Sequence, residues 1–174
     1  PWWTPLPFSF PMPEKKIALL TKIEGLKIDS IIVEELNSAA KKLEQMGWII
    51  EEPKSPNFQE AANYQATLWL GEFRRTGGEA INKENDPDAN FIYSQMCRRC
   101  PDTSLEKFMD SLQQRARISR EWNKFFDQYP IILCPITGDV PFPDLKDLES
   151  EESFDLVFDS MLPQIAPPYM GLPG

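Results

Sequence analysis

The sequence predicts an α/β fold, a mixed or mostly parallel sheet of three or more strands covered by at least three helices. Three observations carry this expectation. The runs Lys16-Ile17-Ala18-Leu19-Leu20 and Ile131-Ile132-Leu133-Cys134-Pro135 have the length and residue types of buried strands. Between them the apolar period changes to that of helices. The first run, one helix-period segment and Trp48-Ile49-Ile50-Glu51-Glu52-Pro53 follow one another within roughly 35 residues, the order of a βαβ unit whose right-handed crossover makes its two strands parallel.

After the first strand, Ile32, Leu36, Ala39, Leu43 and Met46 recur at spacings of four and three with charged residues between them, which predicts an amphipathic helix. Asp29 and Ser30 are its N-cap candidates and Gly47 its stop. The second strand starts on aromatic and β-branched residues and ends at Pro53. Ser55-Pro56-Asn57 opens the next helix, which carries Phe58, Ala61, Ala62, Gln65, Leu68, Trp69 and Phe73 and ends at Gly77-Gly78. Residues 77–90 are polar and rich in turn formers, and a weakly ordered excursion is expected there. A capping box at Thr103-Ser104-Leu105-Glu106 opens a helix of about 25 residues with Leu105, Phe108, Met109, Leu112, Ala116, Trp122 and Phe126 on one face, read as core. Asp144 to Asp159 holds seven acids and one lysine, interrupted by Phe154, Leu156, Val157 and Phe158, which predicts a short helix or turn.

The 174 residues are read as a single partial domain with extended arms at 1–14 and 163–174, where nine of the 17 prolines bunch. The start at Pro1, with no initiator methionine, suggests a segment of something longer. A formal charge of −9 argues against nucleic acid and anionic membrane partners, which need basic patches. The absence of histidine excludes Ser-His-Asp and Cys-His chemistry and histidine-bound metals. No metal and no cofactor is expected. Three cysteines do not make a secreted disulfide framework, so a reducing cytoplasm is expected.

Cys97-Arg98-Arg99-Cys100 has C-x-x-C spacing, and its arginines would favour a thiolate; against a redox role, the motif follows a polar loop and not a strand. The arm Pro1-Trp2-Trp3-Thr4-Pro5-Leu6-Pro7-Phe8 could be a polyproline ligand, although two tryptophans favour docking on the parent protein. No phosphate-cradling glycine motif occurs, and the acid pairs Glu51-Glu52 and Glu151-Glu152 read as solvated faces.

The order of the segments resembles a known family. The Pro-Trp-Trp-x-Pro arm precedes a strand; Leu36-Asn37-Ser38-Ala39-Ala40-Lys41-Lys42-Leu43-Glu44-Gln45-Met46-Gly47 leads into Trp48-Ile49-Ile50; Arg117-Ile118-Ser119-Arg120-Glu121-Trp122 runs on to Tyr129-Pro130-Ile131-Ile132-Leu133-Cys134-Pro135-Ile136-Thr137; and the chain closes on Tyr169-Met170-Gly171-Leu172-Pro173-Gly174. This resembles the C-terminal half of an amidase signature family enzyme. The resemblance implies a hydrolase of carboxamide C–N bonds acting through a serine, a second serine and a lysine, a mechanism that needs no imidazole. The chain contains no Ser-Ser dipeptide, so no catalytic residue is assigned within it. The resemblance also implies that Leu68, Trp69, Phe73, Ile136 and Thr137 form a pocket wall facing the acyl part of a small-molecule amide. The implied partners are the remainder of the parent polypeptide and, through exposed sheet edges, a second copy of the chain. A different reading is a non-catalytic interaction domain that uses the Pro/Trp arm and the acidic region.

Overall fold

The computed structural model describes residues 14–173. The expected docking of Trp2 and Trp3, and all but the last residue of the arm expected at 1–14, lie outside the described residues.

Three strands, β1 (Lys16–Leu19), β2 (Ile49–Glu51) and β3 (Ile131–Leu133), form one sheet in the order β2-β1-β3, with both pairs parallel. Ile17 lies opposite Ile50 on one side and Ile131 on the other. The central strand is buried on both faces, which explains its uninterrupted apolar run. Alternation along it sends Leu19 into one small cluster with Leu36 and Ala40 of α1 (Ser30–Gln45), and Ala18 and Leu20 into the main core on the opposite face. That core is built from α2 (Phe58–Thr76), α5 (Leu105–Phe126) and α7 (Leu162–Met170).

Local signals account for most helix ends. Asp29 caps α1 by accepting from the Ile31 N–H at 2.8 Å, and Gly47, at φ +83°, takes the left-handed conformation that lets the chain turn directly into β2. Asn57 caps α2 through the Glu60 N–H at 3.0 Å. For α5 the cap is Ser104, which accepts from the Lys107 N–H at 3.2 Å, so the Thr103 to Glu106 capping box does not form.

Three expectations are corrected. Residues 77–90 do not form a loose excursion: they contain α3 (Gly78–Glu84) and the first turn of α4 (Pro87–Arg99). Pro87 sits in the first turn, where a missing N–H costs nothing, and Asp86 accepts from both the Asp88 and Ala89 N–H groups, so the residues read as loop formers are caps. The arm expected over 163–174 is largely α7. Leu162, Ile165, Ala166 and Tyr169 fall at i, i+3, i+4 and i+7 and are all buried, and this burial outweighs the two N–H groups lost at Pro167 and Pro168. Finally, the core face read along α5 holds only in part. Trp122 is buried and Phe108 is half-buried close to Gly71 of α2, whereas Leu105, Met109 and Leu112 are exposed.

Tyr169 is the largest of the fully buried side chains. Its ring stacks on Tyr64 with centroids 5.7 Å apart, and its hydroxyl donates to the Ser111 carbonyl of α5. Burial pushes its pKa up to about 12. The folded pKa therefore lies above the ordinary value near 10, and the folded state holds the proton more tightly than the unfolded one. Its contribution is complete below about pH 10 and should be lost as pH rises through about 12. Thermal melts between pH 9 and 12 should fall steeply for the wild type and less steeply for Tyr169→Phe; parallel curves would contradict this.

Candidate functional site

Of the five residues that the sequence points to as a pocket wall, three stand on α2. Trp69 and Phe73 are one turn apart and share a face, with exposures of 47% and 39%. The Phe73 ring meets Tyr93 of α4 edge-on at 5.6 Å. Leu68 instead packs against the main core, the ordinary structural role for an apolar residue at that position. The other two stand beyond the carboxyl end of β3. Ile136 is 77% exposed, and half-buried Thr137 donates from its hydroxyl to the Asp139 carbonyl at 2.7 Å. In parallel sheets ligands bind beyond the carboxyl ends of the strands, near the point where connections leave in opposite directions. With the order β2-β1-β3 that point lies between β1 and β3, where Ile136 and Thr137 stand. None of the five lines the 450 Å³ cavity beyond the ends of β1 and β2, or the 460 Å³ cavity beside α2.

The Ile136–Thr137 turn is held by its neighbour. Gly138 donates its N–H to the Ser160 carbonyl at 2.8 Å, and its own carbonyl accepts from the Asp29 N–H at 2.8 Å. A Cβ at this position would lie 2.4 Å from the Lys27 carbonyl oxygen, so only glycine permits the approach. This residue ties the turn after β3 to the start of α1 and the end of α6 (Glu151–Ser160), and the sequence reading missed it. A glycine three residues after the strand-ending Pro135 was the available signal.

At the opposite end of the sheet, Lys16 Nζ lies 2.8 Å from Glu51 Oε1 and 4.8 Å from the centre of the Tyr129 ring, and the Tyr129 hydroxyl donates to Glu51 Oε2 at 2.8 Å. The hydrogen bond from Lys16, then that from Tyr129, holds the Glu51 carboxyl below its usual range. The same bond to Glu51 raises Lys16, which therefore remains an ammonium and is unsuited to act as a base. The trio joins β1, β2 and the segment that enters β3, and its chemistry is structural.

The C-x-x-C segment lies in the last turn of α4 and its cap. Its thiols are free and half-buried, and its arginines face the acidic region. Arg98 reaches Asp155 at 2.5 Å and Glu151 at 3.3 Å; Arg99 reaches Asp155 at 2.7 Å, pairs with Asp159 and lies 4.6 Å from the centre of the Phe158 ring. The bond from Arg99, then that from Arg98, keeps the Asp155 carboxyl below the usual range. The acids on α6 (Glu151–Ser160) are thus partly neutralised within the chain. Two adjacent arginines and an acidic stretch were each visible in the sequence, but their pairing across 56 positions was not. Among the described residues no group of three or more histidine, cysteine or acidic side chains is arranged to hold a metal. No described helix is long and apolar enough to cross a membrane.

Comparison with known proteins gives this arrangement a context. The chain is 25% identical over 177 residues to an indoleacetamide hydrolase of Bradyrhizobium diazoefficiens, a match covering 100% of this chain and 34% of that protein. It is 26% identical over 139 residues to an indoleacetamide hydrolase of Bradyrhizobium japonicum, covering 79% and 30%. Its backbone is similar to that of fatty acid amide hydrolase, with a TM-score of 0.65 at 17% identity over 84% of this chain and 26% of that one. No protein-family model matches the chain. The chain spans about a third of the length of the curated relatives that it matches. The resemblance read from the sequence is borne out: the chain corresponds to a C-terminal part of these hydrolases and carries the matching part of the amidase signature fold.

Proposed function

We propose that this C-terminal part of an amidase signature fold is the scaffold and substrate-pocket segment of a hydrolase that cleaves carboxamide C–N bonds, with its catalytic serines and lysine in polypeptide outside the chain. The observation that carries the proposal is the sequence match along the full chain to a protein named an indoleacetamide hydrolase. Two features fit it: the chain has no histidine and no Ser-Ser dipeptide, and Lys16 is held as an ammonium. The remainder of the parent polypeptide is the proposed partner, and it would cover Leu105, Met109, Leu112 and the open edges of the sheet. A second copy could cover the same surfaces in the isolated chain, which sizing with light scattering would reveal. Three free thiols suit the proposed cytoplasmic location.

Within this reading Trp69, Phe73, Ile136 and Thr137 remain the proposed acyl-facing wall, with Leu68 behind them. The test is ammonia release from arylacetamides and long-chain amides by the 174-residue chain and by the full-length protein that contains it. The chain should be inert and the full-length protein active, and Trp69→Ala or Ile136→Ala should change the preference between the two amide classes by about 10- to 200-fold, the scale of one misfitted apolar group. Turnover by the chain alone, or inactivity of the full-length protein on every amide, would overturn the proposal. The interaction-domain reading is weakened at one of its two supports, since Asp155, Asp159 and Glu151 are engaged by Arg98 and Arg99 within the chain.

A further inference from the structure

Between α2, the end of α4, the start of α5 and the corner from α6 to α7 lies the cavity of 460 Å³, within the range of about 300–1,000 Å³ usual for small-molecule sites. Its lining includes the apolar residues Leu70, Met96, Phe158, Leu162 and Ile165. The rest of the lining includes polar groups, and what matters is which of them are already committed. Asp159 is paired with Arg99, and Arg99 is shared between Asp155 and Asp159. Asp102 accepts from the Thr103 N–H at 2.8 Å and faces Arg74 at 3.9 Å. Both carboxylates in the wall are therefore matched by cations from the chain itself.

The uncommitted groups are donors. Lys107 makes no ion pair among the described residues. Asn63 accepts from Gln59 Nε2 at 2.9 Å through its oxygen, and this leaves its amide NH₂ to donate elsewhere. One free ammonium, a free amide donor and an apolar part of the lining suit a single negative charge attached to an apolar body. A fully hydrated anion gains nothing from the apolar lining, and a doubly charged phosphate would need more cations than the lining offers.

We propose that this cavity binds a small monocarboxylate with an aryl or alkyl body, its carboxylate against Lys107 and Asn63 and its body against Leu70, Met96 and Phe158. The assignment rests on the groups of the cavity and not on the amide-hydrolase reading. If that reading also holds, the ligand belongs to the class of acids that amide hydrolysis releases.

The test is direct binding to the 174-residue chain, with no turnover involved, so it succeeds or fails separately from the proposed activity. Calorimetric titration should show saturable binding of phenylacetate and at least tenfold weaker binding of phenylacetamide, its uncharged counterpart. Lys107→Met should weaken phenylacetate at least tenfold and leave phenylacetamide within about twofold, and Asn63→Asp, which adds a like charge, should abolish phenylacetate binding. Both positions are exposed, so the fold should be retained. Amide shifts of the wild type should move at Asn63, Thr67, Met96 and Lys107. Absence of saturable binding, equal affinity for the acid and the amide, or shifts confined to other regions would overturn the assignment.

Discussion

Replacing Trp122 with alanine should lower the unfolding free energy by about 3–5 kcal/mol, the usual cost of deleting a buried aromatic side chain and leaving a cavity behind. Trp122 is 2% exposed, and its ring meets Phe58 edge-on with centroids 4.7 Å apart and planes at 79°. Phe58 is the first residue of α2 and Trp122 lies near the end of α5, so this contact fastens the two longest helices together over the main core. Edge-to-face pairs add about 0.5–1.5 kcal/mol beyond area burial. Since a domain of this size is stable by about 5–15 kcal/mol, the variant should lose about a fifth or more of its margin. Urea unfolding followed by far-UV circular dichroism measures this directly. A loss below about 1 kcal/mol would mean that the α2–α5 contact is not part of the cooperative core.

Gly138→Ala should cost about 2–4 kcal/mol, although it adds a single carbon. The new Cβ would meet the Lys27 carbonyl oxygen at 2.4 Å and Leu26 Cδ1 at 2.6 Å, and the first of these is backbone, which cannot rotate away. Overpacking of this kind costs about 1–3 kcal/mol. Relief requires moving the turn, which weakens the two backbone hydrogen bonds to Ser160 and Asp29, each worth about 1 kcal/mol. Because Asp29 also caps α1, hydrogen exchange should speed up in the first turn of α1 and at Ile136–Thr137 before it changes in α2. Uniform acceleration across the chain, or a variant as stable as the wild type, would contradict this account. In the full-length protein the same substitution should alter amide preference, since the turn carries two of the proposed wall residues.

The elements that the sequence made legible are those whose signal is local. The strand at Lys16–Leu19 was readable because burial on both faces demands an unbroken apolar run, and α1 because Asp29, its apolar spacing and Gly47 mark both ends. The βαβ unit followed from their order. Parallel pairing of β1 with β2 bears it out. The family resemblance rested on the same ordered segments. Where the reading failed, two local signals competed. Prolines from Pro163 onward suggested an arm, yet the buried stripe Leu162, Ile165, Ala166 and Tyr169 holds a helix there. Asp86 and Pro87 looked like loop residues and are the cap and first turn of α4.

Composition, order and periodicity thus determined the α/β class and left this chain without an imidazole, while the ordered segments carried the resemblance to an amide-hydrolase family that the comparisons bear out. Only the tertiary structure decided which faces meet: that Leu68 packs inward while Trp69 and Ile136 stay exposed, that Arg98 and Arg99 clasp the acids of α6, and that Lys107 and Asn63 reach one cavity with no acceptor assigned to them. The reason is physical. Helix and strand periods are set by sterics within a few residues, whereas pairing and burial depend on surfaces brought together from positions some 40 to 80 residues apart, and local spacing carries no information about that distance.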